Sequence, residues 1–128
     1  MVEYLSPAWL DTIRAELAAR DGLSAAAADQ TVGFTQEITD GATYHVAVAG
    51  GVVTVGWGPA RPEHVRLRTD RRTAVAVATG TLNAQEAFIT GHLVLTGDQQ
   101  HLLAVQPLLL ALDDVMRSVN EQTSYADA

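Results

Sequence analysis

The chain opens on a period near 3.6. Trp9, Leu10, Ile13 and Leu17 fall on one side of a helix, and Asp11, Arg14, Glu16 and Arg20 on the other, where their charges cancel. Ser6-Pro7 predicts the start, because serine caps free backbone N–H groups and a proline at the first helical position loses no hydrogen bond. Gly22 is the expected stop, and the Ala-rich Ser24–Ala28 run predicts a further helical turn. The period then drops to two. Val32, Phe34 and Ile38 alternate with Gly33, Thr35, Glu37 and Thr39. After Asp40-Gly41, Tyr44, Val46 and Val48 alternate with His45, Ala47 and Ala49. After Gly50-Gly51, Val53, Val55 and Trp57 alternate with Val52, Thr54 and Gly56. Two glycines suit a tight hairpin that needs positive φ. These segments predict an antiparallel meander with one apolar face.

Past the Gly58–Pro62 loop, Val65 and Leu67 alternate with Arg66 and Arg68 in a fourth strand. Asp70 caps a predicted helix through Ala78, and Gly80 ends it. Asn83, with Glu86 three residues on, starts a short helix that Gly91 stops. Leu93 and Leu95 mark a fifth strand. Asp98 starts a last helical region reaching about Asn120, in which Pro107 is expected to force a break or kink. The polar tail after Glu121 is expected to fray. Layer logic favours one mixed sheet with helices over its apolar face, an α+β domain spanning residues 1–128.

Composition narrows the function. In 128 residues, 48% are apolar but only 5% aromatic, so the core must be aliphatic. The net charge is −7, which disfavours nucleic-acid binding by bulk charge. All eight basic residues are arginine, a compositional habit. Five of them, Arg61, Arg66, Arg68, Arg71 and Arg72, share residues 61–72 with Glu63 and Asp70, giving a local +3. Arg66 and Arg68 are expected on the polar sheet face, paired with neighbours such as Glu37. With no cysteine there is no disulfide framework and no thiolate site. The N-terminus does not read as a signal peptide, no apolar run spans a membrane, and Ala126-Asp127-Ala128 is not a peroxisomal address; a cytoplasmic protein is expected.

Chemistry is sparse. His45, His64, His92 and His101 show no ligand spacing, so no metal or cofactor is predicted, and His45 and His92 are expected on the wetter sheet face. The inward strand positions offer only Gln36 and Tyr44 as polar groups, neither a strong acid or base near neutral pH. No catalytic residue is assigned. The conspicuous excess lies in Leu102–Met116, where Leu108, Leu109 and Leu110 cannot all face one narrow stripe. Such a helix is either buried on several sides, or in an oligomer, or lines an apolar cavity.

The run from Gly80 to Asp98 resembles the signature of sterol carrier protein type 2 domains. Gly80-Thr81-Leu82 ends a helix, Ala87-Phe88 sits in a short helix, Gly91-His92-Leu93 opens a strand, and Gly97-Asp98 closes it. The order of the earlier elements agrees, so the resemblance covers nearly the whole chain. It implies a sheet ordered 3-2-1-4-5, covered on one face by helices, with an apolar tunnel that binds sterols, fatty acyl chains or other lipids without covalent chemistry, and a last helix that helps close it. On that implication the strands contribute Phe34, Ile38, Val46, Val48, Val55 and Trp57 to the cavity. The helices contribute Leu82, Phe88, Ile89, Leu103, Leu109, Leu112 and Met116. Phe88 and Ile89 are expected to pin the short helix on the core. The neutral first helix departs from the basic one that membrane-docking carriers use, so at most transient membrane contact is expected. A free-standing chain looks like a bacterial member, and the apolar last helix leaves a homodimer open. Two rival functions remain: a small-molecule enzyme of isomerase or cyclase type using the same cavity, and an oligomerisation or interaction module.

Overall fold

A computed structural model describes residues 1–19, 31–98, 100 and 106–125. The Gly22 stop, the Ser24–Ala28 turn, His101 and Leu103 lie outside them. A two-residue strand β1 (Val2–Glu3) precedes helix α1 (Pro7–Ala18). Ser6 caps α1, its hydroxyl accepting from the Trp9 N–H at 3.2 Å, with Pro7 at the first position. Trp9, Leu10, Ile13 and Leu17 are all buried, as their spacing predicts.

The meander forms β2 (Val32–Ile38), β3 (Thr43–Ala49) and β4 (Val52–Trp57), followed by β5 (Val65–Thr69). Helices α2 (Arg71–Ala78) and α3 (Ala84–Ile89) lead to β6 (Leu93–Gly97), and α4 (Gln106–Glu121) to β7 (Thr123–Ser124). The main sheet runs β4-β3-β2-β5-β6, the 3-2-1-4-5 order that the resemblance implies. Within this sheet β2 and β5 pair in parallel, and the other described neighbours are antiparallel. The register sets Phe34 beside Val46 and Val65, and Gln36 beside Tyr44 and Leu67, so one face carries the apolar set. Helix α1 packs across the β4 side of that face, where the Arg14 guanidinium donates to the Val55 carbonyl at 3.1 Å.

The opposite face is partly covered by the crossover between β4 and β5. Ala60 is buried there, its N–H donating to the Thr35 hydroxyl at 3.0 Å. The His64 N–H donates to the Gly33 carbonyl at 2.9 Å, and the Gly33 N–H to His64 Nδ1 at 3.0 Å. Gly33 is required by this close approach: a Cβ would collide with the Pro62 carbonyl and stand 2.9 Å from Ala60 Cβ. On the same face Arg66 bridges Glu37 at 2.6 Å and Glu63 at 2.9 Å, the pairing expected from the strand register. Hydrogen bonds from Arg66 hold the Glu63 carboxyl below its usual range.

Two expectations are corrected. The tail is not frayed through Tyr125: Thr123 and Ser124 pair in parallel with Val2 and Glu3, Thr123 is buried, and the Tyr125 ring lies 5.1 Å from that of Tyr4. A two-residue ladder is too short to show a period. Pro107 is the second residue of α4, where its missing N–H costs no intrahelical bond, and the preceding stretch on which the expected break falls lies outside the described residues. Phe88 and Ile89 do not anchor α3, being 51% and 81% exposed. Ala87, fully buried, takes that place, its carbonyl accepting from the His92 N–H at 2.9 Å. A helix of six residues has room for one inward position, and the smallest residue allows the closest approach to β6.

Candidate functional site

Two helices roof the β5–β6 half of the apolar face. Asp70 starts α2, its carboxylate accepting from the Thr73 N–H at 2.7 Å, and that bond holds the Asp70 carboxyl below its usual range. Asp40 ties the same turn to the β2–β3 hairpin by accepting from the Arg71 N–H at 2.6 Å. The face that α2 turns inward is built of small residues. Ala74, Val77 and Ala78 therefore do not reach the sheet as leucines would, and a cavity of about 230 Å³ remains.

Its floor is Gln36, Ile38, Tyr44, Leu67, Thr69 and Leu93. Met116 and Asn120 of α4 close one side, and Tyr4 and Trp9 form an aromatic end. At about 30 Å³ per water-sized group, the space holds roughly eight such groups. That is below the range of about 300–1,000 Å³ usual for drug-sized ligands and suits a short aliphatic chain.

The aromatic end is tightly organised. Trp9 meets both Tyr4 and Tyr44 edge to face, with centroids 5.1 Å apart in each case. Burial pushes the Tyr4 phenol up to about 12, and pushes Tyr44 up as well. Both phenols are therefore un-ionised near neutral pH. Two N–H groups here are buried with no acceptor: Trp9 Nε1 and Arg71 Nε, the latter on a guanidinium 5.5 Å from the centre of the Tyr4 ring.

Of the residues expected to line a ligand cavity, Ile38 and Met116 border this space. Phe34, Val48 and Val55 are buried in the hydrophobic core, with Val46 and Leu112 packed against it. Trp57, at the end of the edge strand β4, is 43% exposed. Leu109 falls within α4. Leu82 borders a second cleft of about 420 Å³ with Asp70, Arg72, Glu86 and His92, whose charged lining does not suit an apolar ligand. The alternation marks the inward face correctly. It does not show that α1 fills one half of that face while α2 leaves the other open. Tyr4, Trp9, Leu67, Thr69, Ala74, Val77, Ala78, Leu93 and Asn120 also border this space and were not assigned to it from the sequence.

Among the described residues, His45, His64 and His92 have structural partners. His45 Nδ1 lies 3.0 Å from the Gly58 carbonyl, with its ring over Gly56, and His92 Nδ1 lies 2.9 Å from the Thr90 hydroxyl. Among the described residues no group of three His, Asp or Glu side chains is placed to hold a metal ion. No described helix is long and apolar enough to cross a membrane.

The chain is an α+β domain with a five-stranded mixed sheet in this order and helices packed over one face. The chain belongs to the SCP-2 sterol transfer family, whose model matches residues 11–110. Among solved structures it is similar to a sterol carrier protein 2, at 20% identity and TM-score 0.67, covering 90% of this chain and 98% of that one. It is also similar to the conserved hypothetical protein TT1886, possibly a sterol carrier protein, from Thermus thermophilus, at 19% identity and TM-score 0.61, over 93% of this chain and 91% of that one. A third likeness is to a sec-alkylsulfatase, Pisa1, from a Pseudomonas species, at 20% identity and TM-score 0.51; it covers 66% of this chain but only 14% of the sulfatase. At these identities the likenesses establish the fold. No curated protein sequence matches the chain.

Proposed function

We propose that this protein binds an apolar small molecule non-covalently, as a carrier of a fatty acyl chain or similar lipid. The observation that carries this is the cavity of about 230 Å³ under α2 and α4 in a chain of the SCP-2 family. Its aliphatic walls, Ile38, Leu67, Val77, Leu93 and Met116, offer van der Waals contact and no reactive group. The two tyrosines at its edge hold their protons, which favours binding over proton-transfer catalysis. The chain acts as one binding domain in this reading. Burial of an aliphatic chain gains about 25 cal/mol per Å² of apolar surface before association costs. Extraction of purified protein followed by mass spectrometry, with displacement of a fluorescent fatty acid, tests it. A co-purifying lipid and saturable displacement are expected. Absence of both overturns the proposal.

A further inference from the structure

The second cleft, between α2 and α3, is polar where the first cavity is apolar. It measures about 420 Å³. At about 30 Å³ per water-sized group it takes roughly fourteen such groups, within the size range of small-molecule sites. His92 is held firmly at its border. The His92 backbone N–H donates to the Ala87 carbonyl at 2.9 Å, and its carbonyl accepts from the Thr69 hydroxyl at 2.8 Å. Ring atom Nδ1 lies 2.9 Å from the Thr90 hydroxyl oxygen, whose own proton goes to the Glu86 carbonyl at 2.8 Å. A hydroxyl has one proton, so Thr90 accepts from His92 and Nδ1 donates. Neutral His92 therefore carries its proton on Nδ1 and keeps a lone pair on Nε2. Asp70 retains lone pairs beyond the one that caps α2 through the Thr73 N–H. After the Thr73 hydrogen bonds, the charges of His92 and Arg72 also hold its carboxyl down, which places the three groups together. Among the described residues, neither the Glu86 carboxylate nor the Arg72 guanidinium has an ion-pair partner.

We propose that this cleft is a second binding site, for a small zwitterion of amino-acid type. Its ammonium donates to His92 Nε2 and to the Asp70 and Glu86 carboxylates, and its carboxylate pairs with Arg72. Three acceptors match the three donors of a primary ammonium. A simple anion would meet two carboxylates, and a simple amine would leave Arg72 unmatched; a molecule carrying both charges satisfies the whole border. Ala76 and Leu82, which also line the cleft, offer the apolar contact for the ligand's side chain.

The test is a titration of nitrogen-15-labelled protein with each of the common protein amino acids in turn, followed by NMR. At least one is expected to bind saturably and to shift the Arg72, Glu86 and His92 signals. Its deaminated acid and its carboxamide are each expected to bind at least about ten-fold more weakly, as is the amino acid itself to Arg72→Gln and to His92→Phe. Imidazole nitrogen shifts of the free protein are expected to show His92 protonated on Nδ1. Saturable binding by none of the amino acids overturns the proposal, as does binding that Arg72→Gln leaves unchanged, or a His92 ring protonated on Nε2. Should His92→Phe not fold, Arg72→Gln decides, because Arg72 is exposed. Failure here leaves the carrier reading standing, since Asp70, Arg72, Glu86 and His92 do not border the apolar cavity.

Discussion

Filling the cavity from α2 separates binding from folding. Ala74 and Ala78 lie one turn apart on α2, and both line the cavity. Leucine at either position adds three carbons, roughly 80–90 Å³ at about 30 Å³ per water-sized group. One substitution therefore removes more than a third of the 230 Å³, and the pair about three quarters. Leucine is nearly as good a helix former as alanine, so α2 itself is not penalised. Three newly buried methylene-sized groups gain at most about 2.4 kcal/mol each time, at roughly 0.8 kcal/mol per group, less whatever is lost to imperfect fit. Cavity-filling changes commonly stabilise by about 0.5–2 kcal/mol. For Ala78→Leu and for the double variant, calorimetry is expected to give a Tm equal to or above that of the parent. Fatty-acid displacement is expected to weaken at least about ten-fold in the single variant and to vanish in the double. The reasoning is refuted if the double variant keeps its Tm and still binds with parental affinity, because the ligand then sits elsewhere. A Tm drop of several degrees refutes the premise that the space is available.

Other outcomes follow from the same contacts. Gly33→Ala drives a methyl group into the Pro62 carbonyl and endangers the bonds between Gly33 and His64, so chemical denaturation is expected to show a loss of about 2–4 kcal/mol. Asp70→Ala removes the α2 cap at a cost of about 1 kcal/mol; because the Asp70 carboxyl is depressed in the folded state, its charge-dependent share is present above the unfolded value of about 3.9 and is lost as pH falls through the folded one. A parental loss of stability below pH ~4 no steeper than that of Asp70→Ala would contradict this. Tyr4 titrates near 12 when folded and about 10 when unfolded, so its contribution is full below pH ~10 and declines up to about 12. Tyrosinate absorbance is expected to rise together with unfolding in that window; early ionisation of all three tyrosines in folded protein would refute their burial.

The strands and caps were legible because their signals are local. Ser6-Pro7, Asp70 and the alternation from Val32 to Trp57 each act over a few residues, and the structure keeps them. Pairing of β1 with β7 was not legible, since it joins the two chain ends through two residues apiece. The failure at Phe88 and Ile89 is instructive. Large apolar residues in a short helix were expected inward, but packing against β6 selected Ala87 and left the large side chains outside. The candidate site was half legible for a related reason. Sequence patterning assigns a face, whereas an empty volume depends on what that face meets. Small residues at Ala74 and Ala78 hold α2's inward side short of the sheet, and no hydrophobicity pattern records an absence of side chain.

The location of the bound chain tests the central claim most directly. Intermolecular nuclear Overhauser effects between octanol and methyl-labelled protein report it without disturbing the fold. Contacts from the alkyl protons to Ile38, Leu67, Val77, Leu93 and Met116 are predicted, with none to Ile89. Contacts confined to the exposed Phe88, Ile89 and Trp57 side chains, with the cavity methyls silent, would contradict it.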